Sequence, residues 1–250
     1  MNYRLDLHVH TAASPDSRSS LEALTAAAKR RGIDAFAVCD HNRAFYPSST
    51  VDGVLLIPGV EYSTEHGHLL GLFLEAPCHV PGEETGRVPF SEAVQAIRQS
   101  GGLCVAAHPF EHTNRTSEEI AACLDAHRAV LDGIEGYNCR AVKKRRDANR
   151  LAQQAAKQLG LLCTAGSDAH LPGELGRATV TVAAETLTLP ALREALAQPV
   201  SFSCGKCRHL ALAKSQFIRL RRTGAAPKAY LRWCAFAGLC VLRALKGAIS

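Results

Sequence analysis

Apolar and polar residues alternate along this chain with two periods, and segments of the two kinds take turns. Leu5, Leu7 and Val9 stand against Asp6, His8 and His10, the period-2 pattern of a β-strand, which sends both imidazoles out of one face. Residues 21–31 carry Leu21, Leu24, Ala27 and Ala28 as the apolar stripe of a helix that Gly32 stops. Residues 33–40 and 54–60 are mostly apolar runs of the kind found in strands buried on both faces. A turn at 62–67 follows, and a strand resumes at His68. Ser91 caps a helix that ends at Gly101-Gly102, and the strand over 103–107 delivers His108. Helices over 117–131 and 141–159 then alternate with strands over 133–137 and 161–165. A short strand over 180–182 and a helix over 189–197, begun by Pro190, close the pattern. This succession argues for parallel βαβ units and an α/β architecture.

Composition sharpens the picture in three places. At 250 residues, 47% of them hydrophobic and 21% charged, the chain has the material for one large globular domain, a usual size for an α/β barrel. Asn2-Tyr3-Arg4 leads straight into the first strand with no preceding apolar region, which predicts a cytoplasmic location. The ten cysteines, among them Cys39, Cys104 and Cys163, are scattered through apolar elements as reduced thiols are, not spaced as a disulfide framework.

Charge is distributed unevenly. Residues 201–250 hold ten Lys or Arg and no Asp or Glu, whereas residues 1–200 hold 19 basic and 23 acidic residues. We therefore divide the chain into a main domain over 1–200 and a basic extension over 201–250. From Lys228 the extension reads as a helix, but its apolar run at 233–242 falls well short of the roughly 20 residues that span a bilayer. No transmembrane segment is expected. Packing on the main domain is the leading reading; a partner helix or peripheral contact with an anionic membrane are the others. Cys204 and Cys207 have zinc-ribbon spacing without the second pair that a ribbon needs.

The candidate chemistry gathers where strands end, as it does in α/β barrels. His8 and His10 close the first strand, Asp16 follows in a polar loop, and His41 follows Asp40 after the second. Glu61, His68, His108, Asp168 and His170 recur at later strand ends. Imidazole pairs suggest a metal without naming it. Glu61, at the end of an apolar strand, is the most telling, because burying a carboxylate without a cation is costly. His66 is an alternative to His68; His79, His112, His127 and His209 lack a motif. Asp6 and Asp40 are expected to orient the neighbouring imidazoles.

Taken together, Asp6-Leu-His8-Val-His10-Thr, Asp40-His41-Asn42, Gly59-Val-Glu61, His68-Leu-Leu-Gly, His108-Pro and Gly166-Ser-Asp168-Ala-His170 resemble the motifs of the PHP family, the polymerase and histidinol phosphatase domain, in that family's order. The resemblance covers about residues 1–182. It implies a distorted (β/α)7 barrel with two or three divalent ions, Zn, Mn or Fe, and hydrolysis of phosphoesters. It implies a first metal on His8, His10, Glu61 and Asp168, a second sharing Glu61 with His68 and His108, and a third on Asp16, His41 and His170.

Such chemistry has a physical logic. Closely spaced divalent ions lower the pKa of bound water and neutralise phosphoryl oxygens, which predicts attack by a hydroxide bridging the metals, with His170 or Asp168 as donor to the leaving group. Phosphate also calls for cations at the barrel mouth, and Arg140, Arg177, Lys206 and Arg18 are the candidates. The expected substrate is a small phosphorylated metabolite or nucleotide. A nuclease trimming nucleic-acid ends is the second reading, prompted by the basic extension and weakened by an aromatic content of only 6% for stacking bases. A non-enzymatic docking scaffold is the third, and the full ligand set argues against it.

Overall fold

The computed structural model describes residues 1–111 and 114–249, with side chains as far as 245; His112 lies outside them. The chain runs β1 (Asn2–Val9), α1 (Leu21–Arg30), β2 (Ala35–Val38), β3 (Ser49–Val51), β4 (Val54–Thr64), β5 (Gly67–Leu72), α2 (Phe90–Gln99), β6 (Leu103–Ala106), α3 (Ser117–Ala126), β7 (Gly133–Asn138), α4 (Ala141–Lys144), α5 (Ala148–Leu159), β8 (Leu162–Gly166), β9 (Ala178–Ala183), α6 (Leu189–Ala195), β10 (Ser201–Cys204), α7 (His209–Arg222) and α8 (Pro227–Ile249). The strands form one mixed sheet in the order β10-β9-β1-β2-β4-β5-β6-β7-β8, with β3 on β4. Past its paired strands the sheet curls back on itself: His10 N donates to Ala169 O (2.8 Å) and Ala169 N to His8 O (3.3 Å), so the segment after β8 meets β1. The result is a distorted, nearly closed α/β barrel with C-terminal helices.

The expected run of parallel βαβ units is broken once. β4 and β5 form a hairpin through Glu65 and His66, and β5 is antiparallel to both β4 and β6, whereas β1–β2, β2–β4, β6–β7 and β7–β8 are parallel. The start of a reversed strand lies at the same end of the barrel as the finishes of its neighbours. His68, second in β5, thereby reaches the mouth that Glu61 and His108 occupy.

Strict alternation also fails in β1. Leu5 pairs with Ala35 and Asp6 with Phe36, but the next partners are Val9 and Val38, so β1 carries one extra residue. Such a bulge re-aims the side chains beyond it. Leu5 and Leu7 accordingly pack with Ala35, Ala37, Leu55 and Ile57, while Val9 packs on the opposite side with Phe36, Val38 and the α1 residues Leu24 and Ala28. His8 and His10 are thus turned inward above the apolar barrel filling. β7 holds a second irregularity between Glu135 and Tyr137.

Local boundaries follow their chemistry. Ser20 caps α1 by accepting from Ala23 N (3.2 Å), and Thr116 and Glu119 form a reciprocal capping box on α3. Ser91 is not the cap of α2, which begins at Phe90 with Pro89 in the cap position; Phe90 N donates instead to Glu65 (2.9 Å). The helix expected over 141–159 is split, with Arg145 extended between α4 and α5. Four consecutive cations, Lys143 to Arg146, repel one another there, and Lys144 is drawn to Glu111 (2.7 Å).

The basic extension packs on the barrel. β10 pairs antiparallel with β9, and α7 and α8 lie against each other, with Trp233 Nε1 donating to Ala213 O (2.8 Å). Arg222 at the end of α7 donates to the carbonyls of Ala12, Ser14 and Ser17 (2.8, 2.8 and 3.0 Å), fastening α7 to the loop after β1. Cys204 is exposed and Cys207 buried against Glu174 (3.1 Å), and neither belongs to a cluster of metal donors among the described residues. Among those residues no helix is long and apolar enough to cross a membrane.

Barrel closure depends on one absent side chain. A Cβ at Gly166 would overlap His8 Cβ and stand 2.7 Å from Glu135 Oε1. Gly166→Ala is expected to lower the unfolding free energy by about 3 kcal/mol, the upper part of the range for overpacked cores; chemical denaturation checks this, and an unchanged midpoint would contradict the closure described.

Candidate metal centre

The nine side chains singled out by the sequence converge at one end of the barrel around Glu61, which is 1% exposed. Glu61 Oε1 lies 2.7 Å from His68 Nδ1 and 3.1 Å from His108 Nε2. Its Oε2 lies 2.9 Å from His41 Nδ1 and 3.4 Å from both His8 and His10 Nε2, with hydrogen-bond geometry to none of them. Asp168 Oδ1 is 3.3 Å from His10 and 3.4 Å from His170 Nδ1. Asp16 Oδ2 bridges His170 (3.0 Å) and His41 (3.6 Å). Four overlapping triads, His8/His10/Asp168, His8/Glu61/His108, His41/Glu61/His68 and His10/His41/His170, each hold their donor atoms within 4.8 Å of one another. Imidazole and carboxylate donors at this density are consistent with a polynuclear metal site.

A buried carboxylate oxygen facing three ring nitrogens without a hydrogen bond is what a cation would satisfy, and the donor set fits one. The outer edges of the rings are arranged accordingly. His8 Nδ1 meets Glu135 Oε1 (3.0 Å), and His170 Nδ1 meets the carbonyl of Asp168 (2.9 Å). His10 Nδ1 meets Ser14 Oγ (2.9 Å), whose hydroxyl donates to Asp40 (2.7 Å). These partners fix the tautomers that leave each Nε2 free to face the centre. His108 and Asp168 sit in the left-handed backbone region, at φ 29° and 53°. Residues other than glycine pay about 1–3 kcal/mol for that conformation, which is sustained here by the surrounding bonds.

Proximity without a cation polarises the titrations. Burial alone would lower the pKa of His41, but Glu61 and Asp16 overcome it and push it up to about 10. His108 is likewise opposed by burial and raised by Glu111 and Glu61 to about 9. His10 is driven the other way, to about 3, by burial and by His170 and His41. Burial works against the ionised forms of Glu61 and Asp168, yet the surrounding imidazoles hold both well below the usual carboxylate range.

The orienting residues differ from those expected. Asp6 touches no imidazole ring; it accepts from Ser167 N (2.8 Å), Ser167 Oγ (2.6 Å) and Gly176 N (2.7 Å), and pins the loop that carries Asp168 and His170. Asp40 acts on His10 only through Ser14. Glu135 is the carboxylate that orients His8, and it also accepts from His108 N and Asn138 Nδ2 (3.0 Å each). Its sequence signal was a lone carboxylate inside an apolar strand.

The cleft over the centre, about 310 Å³, is lined by Asp16, His41, Glu61, His68, His108, Asp168 and His170 together with Arg140, Lys144 and Arg219. Arg140 is there, but its Nη2 is committed to Glu174 (2.7 Å) and its Nη1 to Ser215 Oγ (3.2 Å). Arg18, Arg177 and Lys206 do not line this cleft. Arg18 is exposed, Arg177 is bonded to the carbonyls of Gly173 and Lys206, and Lys206 lines a separate cavity. Lys144 and Arg219 went unnoticed in the sequence because they stand in basic runs with no motif. His66 lies outside the centre, tilted against His127 and edge-on to Phe90; His79 pairs with Glu83, and His209 takes a hydrogen bond from Lys143.

Comparison with known proteins agrees with this reading. Residues 146–198 match the family described as PHP-associated. An uncharacterized protein of Methanocaldococcus jannaschii is 30% identical over 152 residues, 54% of this chain and 81% of the relative. A Shewanella sp. (strain MR-4) protein named "Probable phosphatase" is 28% identical over 205 residues, 70% of this chain and 80% of the relative. The crystal structure of a two-domain protein from Bacteroides vulgatus, described as containing a predicted PHP-like metal-dependent phosphoesterase, superposes with a TM-score of 0.60 at 20% identity, over 86% of this chain and 69% of that one. Its likeness is one of fold. With the motifs in series, the barrel that gathers them and these relatives all in agreement, the chain belongs to the PHP family.

Proposed function

We propose that this enzyme hydrolyses phosphate monoesters of small metabolites or nucleotides, with two or three Zn, Mn or Fe ions on the nine side chains. The observation that carries the reading is the unbonded, buried Oε2 of Glu61 among three imidazole nitrogens. Ions bound there would acidify water and neutralise phosphoryl oxygens. The division of ligands remains His8, His10, Glu61 and Asp168; Glu61, His68 and His108; and Asp16, His41 and His170.

The chain's own residues define the rest of the reaction. A cleft of about 310 Å³ under α7 admits a small molecule and favours it over a duplex. Lys144 and Arg219 offer cationic contacts to phosphoryl oxygens, and Arg140, neutralised by Glu174, braces the loop beneath them. Asp168 is held ionised by His8, His10 and Arg140 against the effect of burial, so it has no proton to give at neutral pH. His170, at the cleft wall, would hold a metal through Nε2 and keeps its Nδ1–H on the carbonyl of Asp168 (2.9 Å), so it is no donor to the leaving oxygen either.

A panel of phosphomonoesters and labelled oligonucleotides tests the substrate class. Phosphate release from small monoesters, abolished by a chelator and restored by metal, is expected; cleavage confined to the oligonucleotides would overturn it. Glu135→Gln should reduce metal affinity or turnover about 10- to 100-fold, the usual effect of losing a partner behind a metal-bound histidine. A variant with full metal content and full turnover would remove Glu135 from that role.

Loading the centre must also displace protons. His41 and His108, at about 10 and about 9, are protonated at neutral pH in the metal-free protein, and a ligand nitrogen must be free. Calorimetry in buffers of different ionisation enthalpy should therefore record proton release, with affinity rising from pH 6 to pH 9. The same shifts fix the sign for stability. Raised pKa values stabilise the metal-free fold fully below the ordinary histidine value near about 6.5, and this contribution disappears as pH rises through about 9 and 10. Metal-free protein should then melt earlier at pH 10 than at pH 7, beyond any change in the metal-loaded form; equal shifts in both would contradict the assignment.

A further inference from the structure

A second cavity, of about 970 Å³, lies between α4, the segment after β10 and the end of α8. Lys143, Lys144, Arg146, Lys206, His209 and Arg243 line it, and among the described residues no carboxylate does. Lys143 Nζ donates to His209 Nε2 (3.1 Å), so this ring is held neutral within a ring of cations. Burial, Lys143 and Arg243 together hold His209 below its ordinary pKa. Like charges converging on a concavity raise its potential, and an anion relieves the repulsion.

The cavity neighbours the cleft over the metal centre, with one lining residue in common. Lys144 lines both. Its ammonium group is 2.7 Å from Glu111 Oε1, which in turn is 3.5 Å from His108 Nδ1. One side chain therefore stands between the reacting phosphate and the basic cavity. Lys206, His209 and Arg243 belong to the extension, beyond the region that carries the family motifs. Resting on the phosphomonoesterase reading above, we infer that this cavity is a second anion subsite, which takes a further phosphate group of the substrate whose scissile phosphate lies at the metal centre. The substrate class narrows to small molecules with two separated phosphates.

The test uses the full-length, metal-loaded protein and the double variant Arg146→Gln/Arg243→Gln, both exposed positions, with circular dichroism to verify folding. Titration with inorganic tripolyphosphate should show an affinity at least about fivefold weaker in the variant, with the gap shrinking as salt is added. The ratio of kcat/KM for fructose 1,6-bisphosphate over p-nitrophenyl phosphate should fall by a similar factor. Equal tripolyphosphate affinity in the two proteins would overturn the subsite, whatever the turnover. A loss seen with a single-stranded oligonucleotide and not with tripolyphosphate would also overturn it, in favour of a nucleic-acid groove. Weakened tripolyphosphate binding in a protein that turns over no monoester would support the anion site and refute the monoesterase reading, so the two fail separately.

Discussion

One carboxylate sets the terms for the rest of this molecule. Glu61 is buried in the barrel mouth and stands within 3.4 Å of nitrogens on five imidazoles. An ion so far from water is tolerated only beside opposite charge, which protonated rings supply in the metal-free protein and divalent cations would supply in the loaded one. The same contact explains why ring protons and metal compete, since each answers the same buried negative charge.

Holding five rings on one carboxylate requires a frame that resists relaxation. The extra residue in β1 turns His8 and His10 inward, the reversed β5 brings His68 to the mouth, and the close approach of Gly166 to His8 draws the two ends of the sheet together. Behind the rings, Glu135, Ser14 with Asp40, and the carbonyl of Asp168 hold the outer nitrogens. Arg222 and Arg140 then tie the extension to this frame, so α7 forms a wall of the cleft.

Much of the centre was legible in the sequence. Histidines and carboxylates recur beside apolar runs, and the resemblance to the PHP motifs picks out His8, His10, Asp16, His41, Glu61, His68, His108, Asp168 and His170 among them. Glu135 did not, since it sits inside a strand and its value lies in a contact with His8, 127 positions away. The β1 bulge was hidden for a different reason: Leu5, Leu7 and Val9 alternate perfectly, and only pairing with β2 reveals the shift. α7 has no clean apolar period of its own, and its position is set by Arg222 and Ser215. Arg140 shows the limit in the other direction. It lines the cleft, but its charge is already matched by Glu174.

The central claim is that these side chains cage adjacent divalent ions. Anomalous diffraction from crystals of the metal-loaded protein, recorded on either side of the metal's absorption edge, addresses it directly. At least two neighbouring peaks are predicted, one of them in contact with Glu61 and with His8 or His10. A map with no peak at the barrel mouth, or with peaks only at Cys204 and Cys207, would contradict it.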